Sequence, residues 1–279
     1  MSICIVTDSC ADLPEEIVSR YNISVAPFLS IFEDKTYRDG VDITPQQFYE
    51  KLARSNYIPT TGMVTPGYFS EMFAGLLRKY DTVIALIFDS KLSGAYNSAV
   101  TAAKNFPEDA VAVVDTKGAT LGQGLTVIKA ACMADRGATK EEILKEANRM
   151  VDDIRYVIVL GSLDYLHKGG RLSSSQRIVG NVLNIKPIMG LDDGTPYIME
   201  RARGMKRAYR FVVDYIKSFD TSLEGKTIGL SYTNAVKEGN ELERIIKENF
   251  HPAEIVKSQA GAAIGTHVGP QTIGVYFER

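Results

Sequence analysis

The chain has 279 residues, of which 45% are hydrophobic and 24% are charged, and its formal net charge is −2. This length suits two ordinary domains, and the composition is that of a globular protein. Because no block of basic residues is interleaved with aromatic ones, a nucleic-acid partner is not expected.

Three features concern the cellular setting. The first residues lack the basic start of a signal peptide, and Asp8 interrupts the first apolar run. The apolar runs are only as long as one strand, so stable membrane insertion is not expected. Cys4, Cys10 and Cys132 are scattered, and no metal-ligand spacing occurs. The sequence therefore predicts a cytoplasmic protein without a disulfide framework or a metal site.

Short apolar runs alternate with amphipathic stretches over the first half of the chain. Continuous apolar runs predict strands over residues 3–7, 25–32, 82–88 and 110–115, with a short strand near 35–38. Helices are predicted at the cap signals of Asp12, Thr44, Thr65 and Thr139, over residues 93–105, and before Gly137. This alternation favours an α/β fold in which a mostly parallel sheet carries helices on both faces.

The pattern changes after residue 153. A strand over 156–160 is followed by two strands, 185–191 and 196–200, on either side of the hairpin signal Asp192-Asp193-Gly194-Thr195. Further strands are predicted over 227–232, 254–258 and 272–278, and helices over 205–218 and 235–249. We therefore expect an N-terminal α/β domain over residues 1–155 and a C-terminal α+β domain with a mixed sheet over residues 156–279.

The segment 89–96 lies between a predicted strand and a predicted helix, and it contains Ser93 and Gly94. The first amides of a helix have no partner within the helix, and the helix dipole adds partial positive charge there. A small Ser-Gly pair lets an anion approach those amides closely. The alternative is an ordinary helix cap, for which serine is also preferred.

Two glycine-containing segments could suggest nucleotide binding. The segment 118–124 follows a strand, but its glycines do not have the G-x-G-x-x-G spacing, so a packing or turn role is favoured. Gly225-Lys226-Thr227 resembles the end of a Walker loop. Asp220 stands where that motif needs its first glycine, which excludes an ATP-binding P-loop.

Two clusters of cations could meet an anion. Residues 163–173 combine two glycines with His167, Lys168 and Arg171, as in an exposed loop for a phosphate, although a solvated turn has the same composition. Residues 200–207 include Arg203 and open a helix, where cations oppose the helix dipole. An anionic partner would offset that conflict, and a solvated face remains the alternative.

His267 lies in the segment 261–270, which is rich in small residues. A histidine there can donate to an anion, or it can be purely structural. A hydrolase built on Ser93, His267 and a carboxylate is disfavoured, since Ser93 does not lie in a G-x-S-x-G motif.

Five groups of segments occur together in one order along the chain, and together they resemble the DegV family. They are Thr7-Asp8-Ser9 with Ala11-Asp12-Leu13, Pro59-Thr60-Thr61 with Thr65-Pro66, Ser90-Lys91-Leu92-Ser93-Gly94, Leu163-Asp164-Tyr165-Leu166 with Lys168-Gly169-Gly170-Arg171, and Gly265-Thr266-His267-Val268-Gly269-Pro270. Each is modest alone, but all five in this order span the chain.

The resemblance implies two domains that hold one long-chain fatty acid between them, without a further cofactor. It implies a lipid-binding subunit, not itself an enzyme, whose bound carboxylate a separate kinase related to dihydroxyacetone kinases phosphorylates to an acyl phosphate. By position, the carboxylate contacts would be Thr61, Ser93, the amides of Gly94 and Ala95, and His267. Arg171 and Arg203 would aid kinase docking or phosphoryl transfer. A stand-alone hydrolase or phosphotransferase using Ser93 and His267 is the alternative.

One departure from the family concerns the head-group end. Where the family commonly has Thr-Ser-Gln-Pro, this chain has Thr61-Gly62-Met63-Val64. Thr61 is kept, but a hydroxyl and an amide beside it are lost, which predicts a reshaped pocket. Sixteen methylenes at ~0.8 kcal/mol each would give on the order of 12 kcal/mol of transfer free energy before ordering costs. The carboxylate contacts would then fix orientation more than affinity.

Overall fold

The computed structural model describes residues 2–172, 184–219 and 222–279. The strands are β1 (Ile3–Asp8), β2 (Ser24–Ala26), β3 (Leu29–Ile31), β4 (Thr36–Arg38), β5 (Thr60–Gly62), β6 (Thr82–Ile87), β7 (Val111–Asp115), β8 (Ile154–Val159), β9 (Ile185–Asp192), β10 (Thr195–Arg203), β11 (Thr227–Tyr232), β12 (Glu254–Gln259) and β13 (Ile273–Glu278). The helices are α1 (Glu15–Arg20), α2 (Pro45–Arg54), α3 (Pro66–Leu76), α4 (Ala95–Ala103), α5 (Thr120–Asp135), α6 (Lys140–Asp153), α7 (Asp164–Lys168), α8 (Met205–Lys217), α9 (Val236–Phe250) and α10 (Ala262–Val268).

The first sheet is parallel and has the strand order β2-β1-β6-β7. β6, one of its two inner strands, is buried along its whole length. On one face, Val83 and Ala85 of β6 pack against α3 and α4, and on the other face Ile84 and Leu86 pack against α5 and α6. Successive side chains of a strand point to opposite faces, so the continuous apolar run of β6 serves both layers. The predicted parallel sheet covered on both faces is confirmed.

The second sheet is mixed, with the strand order β10-β9-β8-β13-β11-β12. β11 and β12 are parallel, and the other neighbours are antiparallel. Helices α8 and α9 cover one face of it. The β9–β10 turn has positive φ at both Asp193 and Gly194, as a two-residue hairpin of this kind requires. The predicted mixed sheet is confirmed.

Helix α5 lies between the two sheets. Its Leu121 and Leu125 pack on Tyr156 and Tyr276 of the second sheet. Its Val127 and the alanines of its later turns pack on the first sheet. Because both sheets pack against it, α5 is buried from residue 120 through residue 127, including the polar residues Thr120, Gln123 and Thr126.

A small third sheet has the order β4-β3-β5 and is antiparallel. Helix α10 comes from the end of the chain and packs against β3, β5 and α2. Chain segments from both ends of the sequence therefore meet at this sheet. The division into domains at residues 1–155 and 156–279 stays a prediction.

Several local predictions were wrong. The strand expected over 25–32 is two strands, β2 and β3, in different sheets. Asp12 does not cap α1, which has Pro14 at its N-cap, but adopts a left-handed conformation after a 3-10 turn over Ser9–Ala11. Residues 163–173, expected to be a flexible loop, begin with α7, and residue 173 lies outside the described residues. The segment around His267, for which neither a helix nor a strand was predicted, contains α10.

None of the helices in residues 2–172, 184–219 and 222–279 combines the length and the apolar character needed to cross a bilayer.

Candidate functional site

The parallel strands β1, β6 and β7 end at one edge of the first sheet. The loops that follow them carry Cys10, the segment 88–94, and Ala119. Ligands of open α/β sheets bind outside the carboxyl ends of the strands. Asp8 ties two of these ends together, because its carboxylate accepts from the amides of Cys10, at 3.0 Å, and Phe88, at 2.7 Å. These hydrogen bonds therefore fix the segments after β1 and β6 relative to each other, at the edge that faces the second sheet.

A cavity of about 250 Å³ lies between this edge and the second sheet. Its lining is mostly apolar and is drawn from segments beyond the strand ends of the first sheet, from β5, from β8, β9 and β10 of the second sheet, and from α10. The lining residues are Cys10, Phe28, Thr61, Met63, Phe88, Leu92, Ser93, Gly94, Ala119, Thr120, Ile158, Leu166, Arg171, Met189, Leu191, Pro196, Ala263, Ile264, His267 and Val268. An enclosed apolar space with few polar groups suits an aliphatic ligand that carries one polar end.

Thr61 and His267 meet at one end of this cavity, although 206 residues separate them in the chain. Thr61 Oγ1 lies 2.8 Å from His267 Nε2. The pairing of β5 with β3 places Thr61, and the packing of α10 on β5 places His267. Two predicted carboxylate contacts are thus in direct contact with each other.

Burial of the imidazole, and then the nearby Arg171 guanidinium, lower the pKa of His267 to about 4. The ring is therefore neutral near pH 7. Its Nδ1 faces Gly169 and finds no hydrogen-bond partner among the described residues. The tautomer with its proton on Nε2 donates to Thr61 Oγ1 and leaves the Thr61 hydroxyl proton available to an anion.

Ser93, Gly94 and Ala95 form the start of α4, with Gly94 at the N-cap. Ser93 Oγ accepts from the Ala95 amide at 3.2 Å. This arrangement leaves the hydroxyl proton of Ser93 free to be donated elsewhere. Ser93 and Gly94 line the cavity, whereas Ala95 is buried and is not among the lining residues of the described chain.

Met63 covers this helix start. A Cβ atom placed on Gly94 would lie 2.6 Å from Met63 Sδ, so the thioether rests directly on the Gly94 backbone. Met63 is nevertheless 46% exposed. The sequence drew attention to Gly62-Met63-Val64 but not to this contact. The spacing of Thr61 and Met63 could have predicted that Met63 lies near the head-group site, because residues two apart in an extended chain share a face.

Arg171 is half-buried at the boundary between the cavity and an outer cleft of about 440 Å³. The outer cleft is also lined by Thr61, His267, Lys168 and Tyr57. Arg171 Nε donates to the Leu92 carbonyl at 3.2 Å, in the segment that leads to Ser93. The structure thus brings Arg171 together with Thr61, Ser93 and His267.

Arg203 has a different position. It is the last residue of β10, pairs with Ile185, and is exposed. Among the described residues it lines neither the cavity nor the outer cleft. A role in docking stays a prediction for this residue.

Two buried carboxylates hold the start of α10, a role that the sequence did not predict for either residue. Asp39 accepts from the amides of Ala262, at 2.8 Å, and Ala263, at 3.1 Å. Asp12 accepts from the Gly261 amide at 2.7 Å. Burial raises the pKa of both carboxyl groups, although these amide hydrogen bonds act in the opposite direction. Both residues therefore help to fix the helix that carries His267.

In the described ranges, the His, Cys, Asp and Glu side chains form no group of three or more that is suited to a metal ion.

Relatives of this chain resemble it over its whole length. The family model described as "Uncharacterised protein, DegV family" matches residues 2–279. A DegV domain-containing protein of Caldanaerobacter subterraneus is 42% identical over 276 residues, which cover 99% of this chain and 98% of that protein. The protein DegV of Bacillus subtilis is 32% identical over 282 residues, covering 99% and 98%.

Solved structures share the fold. The structure of a DegV family protein from Thermus thermophilus, described as showing fatty acid binding, has a TM-score of 0.93 and 31% identity, and the likeness covers 100% of both chains. DegV of Bacillus subtilis, described as a fatty acid binding protein, has a TM-score of 0.89 and 29% identity, again over 100% of both chains. A family member from Ruminococcus gnavus, described with vaccenic acid, has a TM-score of 0.90 and 25% identity, covering 99% of this chain and 100% of that one.

Proposed function

Because this chain belongs to the DegV family, we propose that it binds one long-chain fatty acid in the cavity between its two sheets. We further propose that it presents the carboxylate to a separate kinase, which phosphorylates it to an acyl phosphate. One observation carries the proposal. Thr61, Ser93 and His267 all line one apolar cavity, Thr61 and His267 are in direct contact, and both also line the adjoining outer cleft.

The tail half of the proposal rests on the cavity walls. Phe28, Phe88, Ile158, Met189 and Leu191 provide apolar surface for an acyl chain. Each buried methylene contributes about 0.8 kcal/mol of transfer free energy, so a long chain binds tightly without strong head-group contacts. A ligand held in this way is retained through purification.

The head-group half rests on neutral donors. The hydroxyls of Thr61 and Ser93 can each donate to a carboxylate, and the Gly94 amide lies beside them at the start of α4. A neutral His267 adds no positive charge of its own. Neutral donors hold a carboxylate without fully neutralising it, which suits a group that must later attack a phosphoryl donor. The Ala95 amide donates to Ser93 Oγ, so Ala95 would contribute to the head-group site by orienting that hydroxyl.

The kinase half extends the proposal to the protein surface. The outer cleft beside Thr61 and His267 carries the cations Lys168 and Arg171, which fit a phosphoryl group or an acidic partner surface. Arg203 would contact the kinase away from this cleft. The partner would be related to dihydroxyacetone kinases, and both proteins would act in the cytoplasm.

A stand-alone hydrolase is less well supported by the same geometry. His267 Nε2 is bonded to Thr61, and Ser93 Oγ is bonded to the Ala95 amide, so no serine–histidine pair is formed among these contacts. A catalytic base must reach its nucleophile and be oriented by a third group. His267 Nδ1 has no such partner in the described part of the chain.

Native mass spectrometry of the purified protein tests the binding step. We expect one fatty acid per chain, and uptake of a long-chain fatty acid by delipidated protein. Failure to carry or take up any fatty acid would contradict the proposal.

The presentation step is tested with the partner kinase. Ser93→Ala and His267→Ala should lower the rate of acyl phosphate formation by more than their effect on the free energy of unfolding can explain. Arg171→Ala and Arg203→Ala should lower the rate of the kinase-coupled reaction by a larger factor than they lower the amount of fatty acid that the protein retains. Turnover by the isolated chain, abolished in Ser93→Ala, would instead favour the hydrolase.

A further inference from the structure

The β9–β10 hairpin forms part of the cavity wall. Met189 and Leu191 of β9, and Pro196 of β10, face the cavity. Pro196 lies opposite Leu191 in the hairpin, and Met189 lies opposite Ile158 of β8, which also lines the cavity. Any ligand that presses on this wall presses on the hairpin.

The hairpin turn is held by two lysines from the first half of the chain. Lys91 Nζ lies 2.9 Å from Asp193 Oδ2, and it also donates to the Asp193 carbonyl and, at 3.3 Å, to Thr195 Oγ1. Lys117 Nζ lies 2.6 Å from Asp193 Oδ1. These cations, Lys117 first and then Lys91, lower the pKa of Asp193 to about 2, so the carboxylate stays ionised near neutral pH. We call these contacts the Asp193 clasp.

The turn also rests closely on Asp89. A Cβ atom placed on Gly194 would meet an oxygen of the buried Asp89 carboxyl group. Because Gly194 has a φ of +77°, a glycine suits both the turn and the close approach. The hairpin turn therefore touches both Asp89 and Lys91.

Asp89 and Lys91 belong to the segment that carries the proposed carboxylate site. Lys91 is two residues before Ser93 and three before Gly94. The segment is internally braced, since Asp89 Oδ1 accepts from the Lys91 amide at 2.7 Å and the Asp89 carbonyl accepts from the Ser93 amide at 3.0 Å. A displacement of Lys91 is therefore passed to Ser93 through a short, hydrogen-bonded stretch of chain.

We propose that Asp193 is a positioning residue that couples the fit of the acyl tail to the geometry of the carboxylate site. An acyl chain that fits the cavity leaves the hairpin seated and the Asp193 clasp intact, so Ser93 and Gly94 stay in place. A chain that is too long pushes Leu191 and Pro196 outward and displaces Lys91 through the clasp. Chain-length selection among long-chain fatty acids would then be exerted partly at the head group. The inference rests on the proposed fatty acid binding.

The chain offers a matched control for this coupling. Lys91 and Lys117 both pair with Asp193, and their side chains are 49% and 41% exposed. Only Lys91 lies in the segment that leads to Ser93, whereas Lys117 follows β7. If the clasp only anchored the hairpin, the two lysines would be equivalent. If it acts through the segment 89–94, they are not.

The test compares Lys91→Met with Lys117→Met. Dissociation constants are measured by calorimetry for a homologous series of saturated fatty acids and delipidated protein, and urea unfolding checks that the two variants are equally stable. We expect Lys91→Met to reduce the preference for the best-fitting acid over longer acids by about threefold, the size expected for an exposed ion pair. Lys117→Met should keep the preference of the wild type, and Asp193→Ala should reduce it at least as much as Lys91→Met.

An equal loss of preference in both lysine variants would overturn the inference, because it would mean that the clasp only anchors the hairpin. Unchanged preference in Lys91→Met would also overturn it. Failure of the proposed function looks different, since the wild-type protein would then bind no member of the series.

Discussion

At the scale of single residues, burial sets the chemistry of the side chains around the cavity. His267 is kept neutral by desolvation and by Arg171. The buried carboxyl of Asp8 has its pKa raised to about 6, chiefly by burial. Neither pKa shift can be predicted from the sequence, because each depends on burial in the folded chain and not on the residue type. Both shifts make the stability of the folded chain depend on pH.

The neutral state of His267 predicts a loss of stability in acid. Its pKa falls from 6.5 to about 4 on folding, so below pH 6.5 the unfolded chain takes up a proton that the folded chain does not. Stability is therefore lost as the pH falls through this range, by about 3 kcal/mol for this residue. Urea unfolding of the wild type and His267→Gln measures the difference between them, in which the opposite effects of Asp8, Asp12 and Asp39 cancel.

We expect the stability advantage of the wild type over His267→Gln to shrink as the pH is lowered from neutral to about 4. Parallel stability curves for the two proteins over that range would show that His267 titrates normally in the folded chain.

Gly94 and Met63 make a second prediction at this scale. Gly94→Ala would place its Cβ 2.6 Å from Met63 Sδ, and the flexible, partly exposed Met63 side chain would have to move. Because such a side chain moves easily, we expect a change in the free energy of unfolding of less than about 1 kcal/mol. Fatty acid affinity should fall by roughly fivefold, or about 1 kcal/mol, since the displaced thioether crowds the carboxylate site.

The double variant Gly94→Ala with Met63→Ala is the control, and calorimetry is the measurement. It should recover most of the lost affinity. A double variant that binds as weakly as Gly94→Ala would place the cause in the α4 backbone and not in the thioether.

At the scale of secondary-structure elements, the long helices and strands followed their sequence signals. Thr44 and Thr139 cap α2 and α6 as predicted, and each does so through a capping box. The short elements β5, α7 and α10 did not, because three to seven residues carry too little periodicity to be recognised. Tertiary contacts stabilise these elements, and they are the ones that carry Thr61, Lys168 and His267.

Helix α10 shows how such an element is held. Its first amides are satisfied by Asp39. We expect Asp39→Ala to lower the free energy of unfolding by about 2 kcal/mol, because the buried amides of Ala262 and Ala263 lose their acceptors. Removal of the buried Asp39 carboxyl group offsets part of that loss, because burial is unfavourable for its charged form and raises its pKa. Urea unfolding measures the change.

Asp42→Ala is the matched control for Asp39→Ala. Asp42 is nearby in sequence, but its carboxylate forms an ion pair with Arg38 at the surface. Its loss should cost much less than that of Asp39. Equal losses in the two variants would show that Asp39 does not hold α10 in the way described.

At the scale of the whole molecule, the cavity exists because two sheets share one helix and leave a gap beside it. α5 fills the space between the sheets along most of its length. Ala119 and Thr120, at the start of α5, line the cavity that lies between the edge of the first sheet and the second sheet. A ligand there would lie between the segments at the edge of the first sheet and strands β8, β9 and β10 of the second sheet.

This position predicts that fatty acid loading stabilises both sheets together. At a free ligand concentration of about 100 times the dissociation constant, binding should add about 2.7 kcal/mol to the free energy of unfolding. Hydrogen exchange of delipidated and loaded protein is the measurement. Protection should rise in β6 of the first sheet and in β13 of the second sheet, with exposed amides of α9 as an internal reference.

Protection that rises in only one of these strands would contradict a ligand held between the sheets. It would place the bound acid on one sheet alone.

The sequence by itself determined the parallel sheet with its two helical layers, the mixed second sheet and the hairpin turn at Asp193-Gly194. These features arise from local patterns of apolar residues, caps and turn residues, which act over a few neighbouring positions. Resemblance to the family selected Thr61, Ser93 and His267, but not their contacts. Only the tertiary structure decided that Thr61 meets His267, that Asp39 and Asp12 hold α10, and that Asp193 is paired with Lys91 and Lys117. The reason is physical: these contacts join segments from about 80 to about 250 positions apart, and the patterns that predict helices and strands do not extend over such separations.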